Sequence, residues 1–313
     1  MRPKPPDRRH PGRGPRPPRA FTLIELLVVI SIIAVLVTLL IAVIPRMQLA
    51  SKRTTSLQAI TIIQGAIDRY YTDFRSYPGP LAEADLIAGT NAPANVGGTG
   101  RPTASENLVL GLLGGLYKSG AAHAYDPARL YAGAVNTSTA VGSTPKSYLE
   151  RNVAGKMLSA GGAAFADEQN VAANDSAIPE FIDAFDNPIP ILYLRARQGN
   201  FGVVSDATIP GPTKAQYQYD VRQVLAYTGT GIGLQQGKVH GLQSLGNSTA
   251  IPKLEADPVT PPYDALTYLR QPGSGTVNAT GTPRQKDRYI LIGAGVDRTY
   301  GTDDDLTSFG DVR

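Results

Sequence analysis

Two groups of carboxylates lie where they could do chemistry, and the first consists of Glu25 alone. Glu25 is the only charged residue in the apolar stretch 21–44. An ionised carboxylate in the middle of a bilayer costs about 2.5–3.5 kcal/mol, so such a group normally has a partner. No cationic side chain lies within the apolar stretch, but a cut before Phe21 would create a cationic chain end, because a free α-amino group has a pKa of about 7.7–8.0. Glu25 of one molecule could then pair with the amine of its neighbour.

The second group consists of aspartates near the C-terminus. Four of them, Asp297, Asp303, Asp304 and Asp305, fall within nine residues. Their charges repel one another unless water or a cation surrounds them. Ca²⁺ binds about 6–8 oxygen atoms in irregular geometries, and the nearby glycines would let backbone carbonyls contribute. The spacing differs from that of an EF-hand, so the pattern predicts either another kind of calcium loop or a solvated acidic turn.

The remaining composition gives no support for an enzyme or a nucleic-acid-binding protein. The chain has no Cys, which excludes a thiolate metal site and a disulfide framework. Its three His, which are His10, His123 and His240, are far apart in the sequence. No Gly-x-Ser-x-Gly motif occurs. The net charge is +4, but residues 1–20 carry +6 and the rest carry −2. The basicity therefore belongs to a tail, and no catalytic activity or nucleic-acid partner is predicted.

The basic tail and the apolar stretch together predict a membrane anchor. Residues 1–20 form a leader whose prolines and like charges prevent packing. As a helix, residues 21–44 would be roughly 36 Å long, against about 30 Å for the hydrocarbon core of a bilayer. A secretory signal peptide is the alternative, but its apolar region would be about 7–15 residues long. The Arg-rich leader should stay in the cytoplasm, which places the C-terminal bulk across the membrane.

The stretch AFTLIELLVVISIIAVL resembles the class III signal of type IV pilins and type II secretion pseudopilins. In that family a prepilin peptidase cleaves before the Phe and methylates its new amine. The resemblance implies cleavage between Ala20 and Phe21, N-methylation of Phe21, and a role for Glu25 in self-assembly through the N-terminal helices. Ala20 departs from the pattern, because the family strongly prefers Gly there. The alternative is an ordinary signal anchor with a stray Glu.

Beyond Pro45 the pattern becomes one-sided and predicts that residues 46–77 are the amphipathic half of the same helix. Pro45 should kink the helix, and Pro78 should end it close to Tyr77. The residues expected on the buried face are Leu49, Leu57, Ile60, Ile63, Ile67, Tyr70, Phe74 and Tyr77.

Later segments predict further helices at 106–117 and 148–158 and strands at 189–195, 201–204, 217–227 and 289–292. A long helix followed by strands predicts an α+β protein, with the helix packed on a C-terminal antiparallel β-sheet domain. This is the pilin-like arrangement that the resemblance implies. The segment 183–193 also resembles the entry to the pseudopilin sheet, through Phe185, Asn187, Pro188 and Tyr193.

The aspartates near the C-terminus resemble the calcium loop of major type II secretion pseudopilins. That resemblance implies side-chain ligands at Asp297 and at one or two of Asp303, Asp304 and Asp305. If the loop binds Ca²⁺, a chelator should lower the melting temperature of residues 46–313.

These observations predict an organisation and a location. The segments are a basic leader (1–20), a transmembrane and assembly helix (21–45), its amphipathic half (46–77), a Gly/Ala-rich variable insert (78–182) and a β-sheet region with the acidic loop (183–313). The resemblance implies a single-pass inner-membrane prepilin with a cytoplasmic N-terminus and a periplasmic domain. Its partners would be the prepilin peptidase and other subunits of a secretion pseudopilus or type IV pilus-like filament. The alternative is a membrane-anchored periplasmic binding module that does not polymerise.

Overall fold

The structure is a computed structural model, and it divides into two compact units, residues 1–48 and residues 49–313. It describes residues 22–81, 86, 103–119, 122–133, 146–159, 178–186, 188–199, 202–205, 217–220, 268–269, 271 and 282–310. The leader and the cleavage site, including Ala20 and Phe21, lie outside the described residues.

Helix α1 runs from Leu23 to Phe74 and continues through Pro45. It ends three residues before the predicted end, because Arg75 adopts a left-handed backbone with φ of 54°. In the first unit its large apolar side chains are all exposed, from Leu23 at 81% to Ile44 at 47%. By length and composition this helix can cross a membrane.

In the second unit, α1 buries one face against the core. The buried positions follow the helical period and include Ile60, Ile63 and Ile67, which are at most 2% exposed. The predictions for Leu49 and Leu57 were wrong, since these side chains are 42% and 40% exposed. The buried face begins at Ser56, whose hydroxyl accepts a hydrogen bond from the Ala184 amide. At this turn of the helix, the small polar side chain of Ser56 is therefore buried in place of the predicted Leu57.

Helix α2 spans Ala104–Leu113, and all of its residues are buried. Thr103 and Glu106 form a capping box at its start. Two buried polar side chains of α2, Ser105 and Asn107, bond to backbone groups of distant segments. The Asn107 side chain accepts from the Leu81 amide and donates to the Leu81 carbonyl, and the Ser105 hydroxyl donates to the Ile191 carbonyl. Part of the predicted insert is thus a structural centre of the second unit.

The helix predicted at 106–117 ends early because a strand follows α2 directly. Gly114 and Gly115 have φ of 91° and 106°, a conformation that ends the helix and suits glycine. Strand β1 (Gly114–Ser119) then pairs antiparallel with β2 (Ala122–Leu130). The helix predicted at 148–158 is a single turn, α3, at Arg151–Ala154.

The C-terminal strands confirm the predicted α+β class. Strand β3 (Leu192–Arg195) pairs antiparallel with β6 (Tyr289–Gly293), and β6 pairs antiparallel with β7 (Leu306–Thr307), which gives the order β3-β6-β7. Strand β3 starts later than predicted because Pro190 has no amide to donate, and the Ile191 amide bonds to the Phe181 carbonyl instead.

A second pair of strands was expected to be antiparallel but is parallel. Strand β4 (Gly202–Ser205) lies beside β5 (Tyr217–Asp220) in a two-stranded parallel sheet. The predicted strand residues 201 and 221–227 and the sheet-entry residue Asn187 lie outside the described residues.

We expect the second unit to lose stability as the pH rises above about 10, the pKa of tyrosine in an unfolded chain. Burial raises the pKa of Tyr125 to about 12 and raises the pKa values of Tyr70, Tyr193, Tyr219 and Tyr289 above the usual range. Above pH 10 the unfolded chain therefore loses protons that the native state keeps, which favours unfolding. Tyrosinate absorbance against pH, with and without denaturant, measures this difference; coincident titrations would contradict it.

Candidate functional site

The first candidate site is the start of α1, where Thr22 and Glu25 bond to each other. The Glu25 Oε2 atom accepts from the Thr22 amide at 2.8 Å and from its hydroxyl at 2.9 Å. In return the Glu25 amide donates to the Thr22 hydroxyl oxygen at 3.2 Å. This reciprocal pair is a capping box, and it supplies partners for amides that the first helical turn leaves unpaired. Glu25 thus has a local structural role before any contact with another molecule.

The helix surface around Glu25 is almost entirely apolar. Ile24 and Val28 are 69% and 50% exposed. The hydroxyls of Ser31 and Thr38 donate to the carbonyls of Leu27 and Val35, so neither needs water as a partner. A surface of this kind is stable in contact with lipid or with apolar protein surfaces.

The second candidate site is the loop between β6 and β7, residues 294–305, in which Asp304 is central. The Asp304 Oδ2 atom accepts from the amides of Val296 at 2.7 Å and Asp297 at 3.1 Å. The Thr302 hydroxyl lies 2.8 Å from the Asp304 Oδ1 atom. Asp304 thus contacts Asp297 through the backbone amide of Asp297, whereas the sequence predicted both side chains as ligands of one ion.

The neighbouring Asp305 is directed into the interior and is 4% exposed. Its Oδ2 atom accepts from the Tyr268 hydroxyl at 2.5 Å and from the Gly301 amide at 2.8 Å. Burial raises the pKa of Asp305 well above its usual range, while the hydrogen bonds from Tyr268 and Gly301 act in the opposite direction. Asp305 is therefore a core residue rather than a member of an open acidic surface.

The remaining predicted ligands do not complete a metal site. The Asp297 Oδ1 atom accepts from the Thr299 amide at 2.8 Å, and Asp303 is only partly buried. Among the described residues, no three His, Cys, Asp or Glu side chains lie together so that they could hold a metal ion. The carboxylate arrangement does not fit the predicted calcium shell. Calcium binding itself stays a prediction.

The loop is also attached to the segment that precedes β3. Arg298 Nη1 lies 2.6 Å from Asp183 Oδ2, and its guanidinium lies 5.6 Å from the Phe185 ring centre. The Tyr300 hydroxyl donates to the Pro190 carbonyl at 2.5 Å. Burial raises the pKa of Asp183, and Arg298 acts in the opposite direction. The two segments with a pseudopilin resemblance, 183–193 and the acidic loop, are therefore in direct contact.

One comparison with known proteins gave a match, at the N-terminus. A family model described as the prokaryotic N-terminal methylation motif matches residues 16–41. The match supports a class III signal peptide of the kind that type IV pilin-like proteins carry, and it implies processing by a prepilin peptidase. It covers Ala20, Phe21 and Glu25. No curated protein and no solved structure matched the chain.

The sequence analysis did not predict the capping role of Glu25 or the long-range partners of Asp183 and Asp305. A signal for the first was present, because Thr-x-x-Glu before an apolar run is the pattern of a capping box. The ion pair between Asp183 and Arg298 joins residues 115 positions apart, and the bond from Tyr268 to Asp305 joins residues 37 apart. No local pattern indicates such pairs, since they depend on the tertiary fold.

Proposed function

We propose that this chain is a prepilin-like structural subunit of a type II secretion pseudopilus or a related type IV pilus-like filament. One observation carries the proposal: the methylation motif at residues 16–41 coincides with the apolar stretch 21–44, in which Glu25 is the only charged residue. The exposed apolar side chains of α1 support it, because they need lipid before assembly and apolar protein surfaces afterwards.

In this proposal the precursor is a single-pass protein of the inner membrane. The leader carries six Arg and one Lys against one Asp, and such basic flanks remain in the cytoplasm. The second unit, residues 49–313, then lies in the periplasm. A prepilin peptidase acting at the cytoplasmic surface cleaves between Ala20 and Phe21 and methylates the new amine of Phe21.

Among the described residues Glu25 has no cationic partner, and cleavage supplies one. The new amine of Phe21 is largely protonated at neutral pH. In a bundle of α1 helices, Glu25 of one subunit pairs with the Phe21 amine of its neighbour. A carboxylate without a partner is expensive in an apolar environment, so this pair favours one register of packing. The helices then associate by close packing of their apolar side chains.

Mass spectrometry of the N-terminal peptide tests the proposal. We expect the mature chain to begin at Phe21 and to carry one methyl group on its α-amine. The matched control is the same chain in a host without prepilin peptidase, where residues 1–20 should be retained. A chain that still begins at Met1 in the peptidase-positive host would contradict the proposal, because Phe21 would never become a free terminus.

Electron microscopy separates this proposal from the alternative of an anchored module that does not polymerise. For a structural subunit we expect helical filaments, and antibodies against residues 49–313 should label them along their whole length. A correctly processed chain that stays dispersed in the membrane, while the other assembly components are present, would favour the anchored module.

A further inference from the structure

We propose that the acidic loop of residues 294–305 is closed by hydrogen bonds from its own backbone amides and needs no cation. This inference concerns the loop alone and is independent of the proposed function. It starts from the disagreement between the carboxylate arrangement and the calcium shell that the sequence implies.

The lone pairs of Asp304 Oδ2 are already used. A carboxylate oxygen has two principal acceptor directions, and this atom accepts from the amides of both Val296 and Asp297. The positive ends of two N–H dipoles therefore face the oxygen from the side of the loop. A metal ion bound at that oxygen would have to displace at least one of these amides.

The Oδ2 atom of Asp305 is likewise already occupied by hydrogen-bond donors of the protein. Its Oδ2 atom accepts from the Tyr268 hydroxyl and from the Gly301 amide, and the Thr302 amide lies 3.4 Å from the same atom. Because the side chain is nearly fully buried, removing these donors would leave a carboxylate without compensation. Asp305 therefore serves as a buried acceptor that organises residues 301–302.

The backbone permits this closure because Gly295 approaches Asp304 very closely. Gly295 has φ of 60°, and a Cβ atom there would lie 2.5 Å from the Asp304 carbonyl oxygen and 2.6 Å from its Oδ2 atom. The loop thus folds back on Asp304 at the point where the Val296 and Asp297 amides donate.

Contacts with the rest of the unit provide the attachment that an ion would otherwise give. Arg298 pairs with Asp183, and Tyr300 bonds to the Pro190 carbonyl. Calcium needs about 6–8 oxygen ligands around one centre. In this loop the Oδ2 atoms of Asp304 and Asp305 accept from different backbone amides, while the Thr302 hydroxyl lies 2.8 Å and 3.4 Å from their Oδ1 atoms. The dipoles of the backbone amides therefore stabilise Asp304 and Asp305 without a shared ion.

Thermal unfolding of the full chain in detergent, with and without calcium, tests this inference. Near-UV circular dichroism is a suitable signal, because the chain has no Trp and all 15 Tyr lie in the second unit. We expect the melting temperature to change by less than about 1 °C between excess chelator and millimolar CaCl₂. A rise of about 5 °C or more at saturating calcium, the size that ligand linkage gives well above Kd, would overturn the proposal.

Variants at Asp304 give an independent readout. Asp304→Ala removes the acceptor and should lower the melting temperature by about 4–10 °C, whereas Asp304→Asn keeps one acceptor oxygen and should lose less than half as much. Asp186→Ala is the matched control, since that carboxylate is 87% exposed and its pair with Lys52 is a surface ion pair. An unchanged melting temperature in Asp304→Ala would contradict the proposal. So would a second result: calcium stabilises the wild type, both Asp304 variants abolish that stabilisation, and both lose the same amount of stability.

Discussion

Replacing Glu25 with Gln is expected to abolish filament assembly while the chain remains inserted in the membrane. Gln can still accept from the Thr22 amide, so the capping box at the start of α1 survives. The negative charge is lost, and the Phe21 amine of the neighbouring subunit then has no counter-ion. Leaving one member of a buried ion pair alone costs about 3–5 kcal/mol, or roughly a hundredfold to a few thousandfold in each subunit contact.

The comparison of two variants separates the charge of Glu25 from its capping role. Glu25→Ala removes both, and we expect it to be inserted but deficient in assembly like Glu25→Gln. Membrane fractionation, N-terminal mass spectrometry and filament counts by electron microscopy give the three readouts. Ser31→Ala, which removes a polar group bonded only to the Leu27 carbonyl among the described residues, is the matched control and should assemble normally. Filaments at the wild-type level in Glu25→Gln, with none in Glu25→Ala, would show that Glu25 acts as a helix cap.

Replacing Gly295 with Ala should destabilise the second unit by about 2–5 kcal/mol. A left-handed conformation costs a non-glycine residue about 1–2 kcal/mol, and forcing a methyl group into an occupied space costs about 1–3 kcal/mol more. Both apply here, because φ is 60° and the nearest atoms to the added Cβ are 2.5–2.8 Å away and belong to Asp304. Urea unfolding of the full chain in detergent, followed by the near-UV tyrosine signal, measures the loss.

Gly65→Ala is the control for the effect of a methyl group as such. Gly65 lies inside α1, and a Cβ atom there would meet nothing within 4 Å. Ala is the better helix former, so this variant should be neutral or more stable by up to about 1 kcal/mol. Equal stability of Gly295→Ala and wild type would show that the loop does not hold Gly295 against Asp304.

The sequence predicted the parts of the fold that depend on local pattern. The 3.6-residue period places Ile60, Ile63 and Ile67 in the core, and the segments predicted as strands at 189–195 and 289–292 contain β3 and β6, which pair antiparallel. Within α1 the exceptions are Leu49 and Leu57, whose side chains are exposed although the pattern predicted them on the buried face. Beside Leu57, the buried position is taken by Ser56, which bonds to the Ala184 amide 128 residues away.

Other features depend on contacts that no local pattern contains. Strand β7 has only two residues and exists because Leu306 and Thr307 meet the end of β6. The apolar run that contains α2 gives no sign of where the helix changes to strand, apart from two adjacent glycines that suit either a helix end or a flexible helix. At the acidic loop the sequence shows four aspartates within nine residues. It could not show which donors each carboxylate meets, since Tyr268 comes from another part of the chain.

The position of α2 determines how this chain can be shortened or grafted. Asn107 holds both backbone groups of Leu81, just after the turn that follows α1, and Ser105 holds Ile191 at the approach to β3. Helix α2 therefore links the end of α1 to the approach to the sheet, and it is part of the core of the second unit rather than a surface insertion. Chimeras that exchange surface loops around residues 103–113 can keep these hydrogen bonds. Chimeras that join the end of α1 directly to residue 183 remove α2 and, with it, the bonds that connect α1 to the sheet.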